Sequence, residues 1–162
     1  IGALSADGYG GLFAVQYEFG NLLTISRDGV VKLLVGGLDH PTDVIQDAYG
    51  YIDVTVAGHK KNDGKVLRIA PGQQIQIIHD NLERPVGISA DGSGNLFYIE
   101  EGTGRVWEYM GLLGLQVVSE RGVNTKGVPL ALASDHDGNI FLLQNHPNRV
   151  YKFVLSYHAT SM

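Results

Sequence analysis

The chain has 162 residues, of which 44% are hydrophobic and 18% charged, with a formal net charge of -5 and no cysteine. The acidic balance argues against a general nucleic-acid binder, whose footprint is a concentrated basic face. The lack of cysteine excludes disulfides, thiolate metal sites and a cysteine nucleophile. No apolar run approaches the ~18 residues that a membrane-spanning helix requires. We therefore expect a soluble, β-rich protein with no nucleic-acid partner and no membrane span, and an extracellular or periplasmic location is favoured.

A short turn that begins with Asp and contains Gly occurs four times and leads each time into an aliphatic or aromatic segment. Its aspartates stand 40, 44 and 44 positions apart, at Asp7, Asp47, Asp91 and Asp135. In such a turn Asp bonds the backbone that follows it, and Gly accepts a positive φ. A period near 40 residues built from strands and turns is typical of propeller blades.

Each period predicts the same series of strands in chain order. The first unit predicts strands over 2–6, 22–25 and 30–35, and the second over 42–46, 66–69 and 74–78, each with a further strand that follows its Asp turn. The third predicts strands over 86–90, 96–99, 106–109 and 115–118, and the fourth over 130–134, 140–143 and 150–153. The first strand of each unit is small and apolar, as the crowded strands nearest a propeller axis require. No good fourth strand follows Phe153.

These repeats predict an all-β fold, a β-propeller of about four four-stranded blades with an incomplete last blade. The repeats are expected at about 1–39, 40–83, 84–123 and 124–162, in a single propeller domain or propeller segment.

Four segments carry a resemblance to a known family: His40-Pro41-Thr42-Asp43-Val44, Arg84-Pro85-Val86-Gly87-Ile88, Gly94-Asn95-Leu96-Phe97-Tyr98 and Asn148-Arg149-Val150-Tyr151-Lys152. They resemble the repeats of NHL-type β-propellers, over nearly the whole chain. The resemblance extends to the six-bladed group of SMP-30/gluconolactonase-like, strictosidine-synthase-like and virginiamycin B lyase-like proteins. Gly11 and Tyr51 depart from the pattern, because the later copies have Asn95 and Asn139 at that position.

Propellers of this group usually close with about six blades, so four units leave the ring incomplete. Open ends expose strand edges and an uncovered blade face, which natural proteins avoid. We therefore expect either a segment of a larger propeller or self-association through the open blade edges. A four-bladed monomer with an irregular closure is the alternative.

Function in this fold is most often placed on one face, where the loop entering each first strand lies beside the loop joining the second strand to the third. Polar and titratable residues concentrate in these loops: His40, Asp43, Glu83, Arg84, Lys126 and Gly127 in the first kind, and Gln16, Tyr17, Glu18, His59, Lys60, Asn62, Glu100, Glu101, Thr103, Gln144, Asn145 and His146 in the second. From these we select as candidate ligand-binding residues Asp43, His59, Glu100, Glu101, Asn145 and His146.

Two enzymatic interpretations follow from the resemblance. A lactonase-like hydrolase would hold Ca²⁺ or another divalent cation near the axis, with Asp43 and Glu100 as candidate ligands among the available oxygen donors. A lyase-like enzyme would use His59 or His146 as general base, since histidine titrates near neutrality. The family's ligand pattern is not matched residue by residue.

The third interpretation is a recognition module without chemistry, which binds a protein, a glycan or a small ligand. The sequence has no nucleophile elbow, phosphate loop or Cys/His metal spacing. Tyr9, Tyr17, Tyr49 and Tyr51 are available to stack on a sugar or to pack within the fold. We predict the recognition module, with the hydrolase or lyase as the alternative.

Overall fold

The computed structural model describes residues 2–120, 128–135, 137–146 and 148–155. Within them, 15 strands form four antiparallel sheets of four, four, four and three strands. The described residues contain one short 3-10 turn, Gly111–Leu113, and no helix with the length and apolar character needed to cross a membrane. The predicted all-β propeller of about four blades is confirmed.

Each sheet is one blade, with its strands in chain order from the inside outwards. Blade 1 contains β1 (Ala3–Ala6), β2 (Leu12–Gln16), β3 (Asn21–Ile25) and β4 (Val31–Val35). Blade 2 contains β5 (Pro41–Gln46), β6 (Ile52–Val56), β7 (Gly64–Ile69) and β8 (Ile75–Leu82). Blade 3 contains β9 (Pro85–Ala90), β10 (Leu96–Glu100), β11 (Val106–Tyr109) and β12 (Leu115–Ser119). Blade 4 contains β13 (Val128–Ser134), β14 (Ile140–Asn145) and β15 (Arg149–Phe153).

The first strands of the blades are the innermost, as their small residues predict. β1 packs against β5, β5 against β9 and β9 against β13, and no comparably extensive contact joins β13 back to β1 among the described residues. Polar side chains also link these strands: Thr42 Oγ1 donates to the Pro85 carbonyl at 2.7 Å, and the Ser89 and Ser134 hydroxyls lie 2.7 Å apart. The described blades therefore form an open arc.

The hydrophobic core lies between blades instead of at one centre. Between blades 1 and 2, Phe13 and Val15 meet residues of β5 and β6. Tyr98 and Ile88 pack against blade 2, and a third cluster around Phe97 joins blade 3 to blade 4. Strands with one face toward each neighbour become apolar on both faces, so β10 is buried along its whole length.

The four Asp turns have one common geometry. Each Asp Oδ1 accepts the backbone N–H groups two and four residues later, at 2.7–3.0 Å. The Gly three residues after each Asp has a positive φ between 78° and 95°. The predicted roles of Asp and Gly are thus confirmed, and these turns fix the edge of the propeller opposite to the loops listed above.

Blade 2 replaces one turn contact with an ion-pair network. In blades 3 and 4 the side-chain amides of Asn95 and Asn139 donate to the turn Asp, at 2.9 and 2.7 Å. In blade 2 this position is Tyr51, and the bond to Asp47 comes instead from Arg68 of β7, at 2.9 Å. The departure of Tyr51 from the repeat is therefore compensated by a cross-strand residue.

Arg68 also binds Asp53, and it stacks on Tyr51. Its Nε and Nη2 donate to the two Asp53 carboxylate oxygens at 2.8 and 3.0 Å, and its guanidinium lies 4.7 Å from the Tyr51 ring centre. Burial raises the pKa of Asp53 to about 6, although its hydrogen bonds and charge interaction with Arg68 oppose that shift. This network occupies a place where other blades have phenylalanine, since Phe13, Phe97 and Phe141 hold the position of Asp53.

The two outer blades each have an apolar face with no neighbouring blade in the described structure. On blade 1 a cross-strand row joins Leu4, Ala14, Leu23 and Leu33, with Leu4 54% and Leu33 61% exposed. On blade 4 the corresponding row contains Ala131, Leu143 and Val150. These rows have the composition of an inter-blade core but face outwards.

Candidate functional site

Two adjacent places on the loop face share one backbone arrangement, and we call them the first and second junctions. The first junction comprises residues 39–40 and 57–59, between blade 1 and blade 2. Here the His40 carbonyl accepts the Ala57 N–H at 2.9 Å, and the Asp39 carbonyl accepts the Gly58 N–H at 3.0 Å. These two bonds fix the loop entering β5 to the loop that follows β6.

The second junction comprises residues 83–84 and 101–103, between blade 2 and blade 3. The Arg84 carbonyl accepts the Glu101 N–H at 2.9 Å, and the Glu83 carbonyl accepts the Gly102 N–H at 3.0 Å. His40 and Arg84 hold equivalent left-handed conformations, with φ of 58° and 53°. The repeat thus presents two sets of side chains on loops that share these hydrogen bonds and this left-handed residue, although Gly58 has φ 74° and the equivalent Gly102 has no positive φ.

Three side chains converge at the first junction. Asp39 Oδ1 lies 2.8 Å from His40 Nδ1 and 2.9 Å from His59 Nε2. The two imidazole rings meet edge to face with centroids 4.3 Å apart, and Tyr17 packs on the other side of His40 at 4.6 Å. We call these four residues the histidine cluster: Tyr17, Asp39, His40 and His59.

The histidine cluster is open to solvent and offers metal-binding atoms. The side chains of Asp39, His40 and His59 are 37%, 21% and 69% exposed. Their three potential ligand atoms all lie within 4.8 Å of one another. Two imidazole nitrogens and one carboxylate oxygen are a donor set that suits divalent transition metals.

Asp43, a candidate metal ligand from the sequence, lies on β5 and joins two blades. Its Oδ2 accepts the Ile88 N–H of β9 at 3.0 Å, and its Oδ1 accepts its neighbour Val44's N–H at 2.9 Å. Burial raises the pKa of Asp43, and these two backbone hydrogen bonds oppose the shift. The carboxylate therefore stabilises the packing of β5 on β9.

Glu100, the second candidate metal ligand, is buried at the end of β10, with 3% of its surface exposed. Its Oε2 accepts the backbone N–H of Glu83 at 2.6 Å, and its Oε1 accepts the indole N–H of Trp107 at 2.7 Å. Glu100 thus anchors the loop before β9 to its own blade. Among the described residues, neither Glu100 nor Asp43 belongs to a group of three potential metal ligands.

The remaining candidates are distributed over separate loops. Glu101 pairs with Arg84 at 3.2 Å in the second junction. Asn145 Oδ1 accepts the N–H of His146 at 2.9 Å, in the loop after β14. His59 alone among the selected residues belongs to the histidine cluster, and Lys126 and Gly127 lie outside the described residues.

Sequence reasoning missed Asp39, the residue that holds the histidine cluster together. It directly precedes His40, which was a loop candidate, so the adjacent pair was a usable signal. What the sequence does not show is that both imidazoles turn toward the same carboxylate oxygen. That convergence depends on the register of β5 against β6 and on the backbone bonds of the first junction.

A separate cleft of about 650 Å³ lies on the opposite face, beside the Asp turns of blades 3 and 4. Asp91 and Asn95 line it, and both are bonded within their turn. Glu108 also lines it and accepts a hydrogen bond from Gln116 at 2.6 Å. The side chains of Asp91, Asn95 and Glu108 thus already take part in turn and strand hydrogen bonds, and we place the candidate site at the histidine cluster.

The resemblance of this chain to known proteins is one of fold. The sequence matches no protein-family model and no curated protein. Among solved structures, a gluconolactonase from Xanthomonas campestris superposes with a TM-score of 0.76 at 18% identity, over 91% of this chain and 57% of that one. An inactive virginiamycin B lyase from Staphylococcus aureus, determined with quinupristin, gives 0.76 at 13% identity, over 94% and 51%.

A third similar structure is an auxiliary nutrient binding protein from Bacteroides thetaiotaomicron, with a TM-score of 0.78 at 11% identity. The superposition covers 93% of this chain and 37% of that one. The chain therefore has the β-propeller fold of the gluconolactonase-like and lyase-like group, and it spans about half the length of the first two of these structures. This fold group includes both enzymes and a binding protein, so the site must decide between them.

Proposed function

We propose that this chain is a propeller recognition module that binds a protein, glycan or small ligand at the first junction of its loop face. The proposal rests on a difference between the predicted metal ligands and the histidine cluster. Asp43 and Glu100 make structural hydrogen bonds, whereas the histidine cluster presents rings and a carboxylate to solvent. An extracellular or periplasmic location is part of the same proposal.

The chemistry of the histidine cluster suits recognition of polar ligands. Tyr17 and His59 each combine a flat apolar ring with a polar edge, which allows stacking and hydrogen bonding to one ligand. Asp39 adds an acceptor between the two imidazoles. The backbone bonds of the first junction hold this surface in place before binding, which lowers the cost of ordering it.

The test is a ligand screen by NMR with two matched tyrosine variants. The isotope-labelled chain is titrated with a panel of oligosaccharides, short peptides and small polar metabolites. We expect shift changes centred on residues 17, 39–40 and 57–59, and weaker binding in Tyr17→Ala. Tyr9→Ala removes a tyrosine that is 89% exposed in an Asp turn and should bind normally. Shift changes confined to the Asp turns would overturn the proposal.

The alternative is a hydrolase or lyase that uses a divalent cation near the axis. The fold likeness to a gluconolactonase and a virginiamycin B lyase supports it. It predicts turnover of a gluconolactone or of quinupristin that depends on the cation and is lost in the folded fraction of Asp43→Asn. No turnover with any divalent cation would remove this alternative.

We further propose that two copies of this chain associate through the apolar rows of blades 1 and 4. Leu33 and Val150 are 61% and 65% exposed in rows whose composition is that of an inter-blade core. We expect a native mass that is a multiple of 17.5 kDa, reduced by Leu33→Lys or Val150→Lys. Leu112→Lys changes an exposed leucine outside both rows and should leave the mass unchanged. A monomer at high concentration contradicts the association.

A further inference from the structure

We infer that Asp39, His40 and His59 form a binding site for a divalent transition metal of the Zn²⁺ class. This metal site deepens the proposed function because it lies on the surface where we propose that the ligand binds. It rests on the proposed function only in that respect. Ca²⁺ and Mg²⁺ prefer oxygen ligands, whereas imidazole nitrogens suit Zn²⁺, Ni²⁺ and Cu²⁺. The donor set therefore differs from the oxygen-only site near the axis that the sequence suggested.

The ligand atoms are specified by the geometry. His40 presents Nδ1 and His59 presents Nε2 to the same Asp39 oxygen, at 2.8 and 2.9 Å. Zn²⁺ bonds of 2.0–2.1 Å in a tetrahedral site place ligand atoms about 3.3 Å apart. The Asp39 oxygen needs to move only a few tenths of an ångström away from each imidazole nitrogen, and the two nitrogens lie within 4.8 Å of each other. Because His59 is 69% exposed, rotation of its ring suffices without a change in the backbone.

The backbone that carries the three ligands is constrained on both sides. The bonds from Ala57 and Gly58 fix residues 39 and 40 directly beside the turn that leads to His59. Gly58 has φ 74°, and a Cβ at this position would stand 2.6 Å from the Asp63 Cβ. The turn is thus set by packing that excludes other side chains, and the position of His59 follows from it.

The surroundings leave room for a ligand on the metal. Three protein ligands with an open fourth position are typical of zinc sites that bind an exchangeable group. Asp39 is 37% exposed, so this position faces solvent. The nearby Lys61 ammonium is directed to Glu83, with Nζ 3.6 Å from Oε2, and is partly neutralised there. A bound ion would offer its open position to an anionic or carbonyl group of the recognised ligand.

The experiment titrates the purified full chain with Zn²⁺ alone by calorimetry at neutral pH, where imidazoles are available as ligands. We expect a single ion per chain, and binding more than about tenfold weaker in Asp39→Asn, His40→Asn and His59→Ala. Even residues that only orient a ligand usually cost that much. Asn at position 40 tolerates the left-handed backbone of His40, so this variant keeps the turn. The control His146→Ala removes an exposed loop histidine outside the cluster and should bind Zn²⁺ normally.

Two further readouts decide whether the ion sits at this site. Co²⁺ should give visible absorption bands of a tetrahedral site in the wild type and in His146→Ala, and not in His59→Ala. Imidazole ¹⁵N NMR should show Zn²⁺-induced shifts of His40 Nδ1 and His59 Nε2. Zn²⁺ binding that survives all three cluster variants, or no Zn²⁺ binding by a folded wild type, would overturn the inference. The recognition proposal would still stand if Tyr17→Ala weakened binding of a ligand from the panel without metal.

Discussion

The first and second junctions place different side chains on loops that are joined by the same pair of backbone hydrogen bonds. In both, a left-handed residue before the inner-strand proline accepts an N–H from the loop that follows the second strand. The first junction carries an aspartate and two histidines. The second carries two ion pairs, Arg84 with Glu101 at 3.2 Å and Lys61 with Glu83 at 3.6 Å. Surface pairs of this kind contribute about 0–1 kcal/mol to stability. They engage the carboxylates of Glu83 and Glu101.

The difference between the junctions shows that the repeat determines where side chains are presented, and the individual residues determine what they bind. A backbone that recurs from blade to blade supplies each junction with similar positions. Glu83, Arg84 and Thr103 stand where the first junction has Asp39, His40 and His59, and the second junction has ion pairs in place of a potential metal site. The following predictions test this comparison, from the largest expected effect to the smallest.

The largest effect is expected from Arg68→Ala, because blade 2 supplies residues to both junctions. The variant leaves the Asp47 and Asp53 side chains, both fully buried, without their cation. Breaking a buried ion pair on one side typically costs about 3–5 kcal/mol. We expect a loss of that size in the free energy of unfolding, measured with urea. Lys152→Ala changes the equivalent position of blade 4 and should cost about 1 kcal/mol or less.

Gly58→Ala and Gly102→Ala test whether the two junctions need glycine for the same reason. Gly58 has a positive φ and packs against the Asp63 backbone, whereas an added Cβ at Gly102 meets the movable Glu83 side chain. A left-handed non-glycine residue costs about 1–3 kcal/mol. We expect Gly58→Ala to lower the free energy of unfolding by that amount and Gly102→Ala to lower it by less. Equal losses would show that the two frames are under the same constraint.

Transplantation of the cluster tests the comparison most directly. The triple variant Glu83→Asp, Arg84→His and Thr103→His places the residues of the first junction on the frame of the second. Because the backbone bonds and the φ of position 84 match those of position 40, we expect a second Zn²⁺ ion to bind per chain. Calorimetric stoichiometry measures it. An unchanged stoichiometry in a folded variant would show that the shared backbone does not suffice.

The smallest effect concerns His79, a half-buried histidine of β8 that lies outside the two junctions. Its Nδ1 lies 2.8 Å from the Tyr98 hydroxyl, and its ring packs on Trp107 at 4.6 Å. Burial lowers the pKa of His79, while the charges of Glu100 and Asp80 oppose the shift. As pH falls below about 6.5, the unfolded state binds the proton first, so the native state loses stability through this window.

The measurement compares the melting temperatures of the wild type and His79→Gln at about pH 7.5 and about pH 5.5, on either side of the ordinary histidine pKa. We expect the difference in melting temperature between the wild type and His79→Gln to be smaller at the lower pH. An NMR titration that places the pKa of His79 at or above 6.5 would contradict this. Since the two proteins differ only at position 79, the contributions of all other groups cancel in the comparison.

The sequence predicts the fold well because the fold depends on local signals. The Asp turns bond their own backbone within four residues, so the turn residues alone identify them. Alternating apolar residues then give the strands, and the period gives the blades. The site was less predictable, because Glu100 looks like a loop carboxylate until Trp107 is placed beside it by the register of β10 and β11. Asp39 and His59 likewise meet only through tertiary packing.

The replacement of the turn Asn by Tyr51 in blade 2, where Arg68 supplies the hydrogen bond instead, has a consequence for how this repeat varies. Tyr51 is tolerated because Arg68 takes over the bond to Asp47, and Arg68 is tolerated within the sheet because Asp53 stands where other blades have Phe. Arg68→Glu, the residue of blade 3, would leave Asp47 and Asp53 without their cation, Asp53→Phe would remove the bidentate partner of Arg68, and Tyr51→Asn would remove the ring under its guanidinium. We therefore expect positions 51, 53 and 68 to vary together. A hybrid blade made from the sequences of two blades is expected to fold well only if the residues at all three positions come from the same blade.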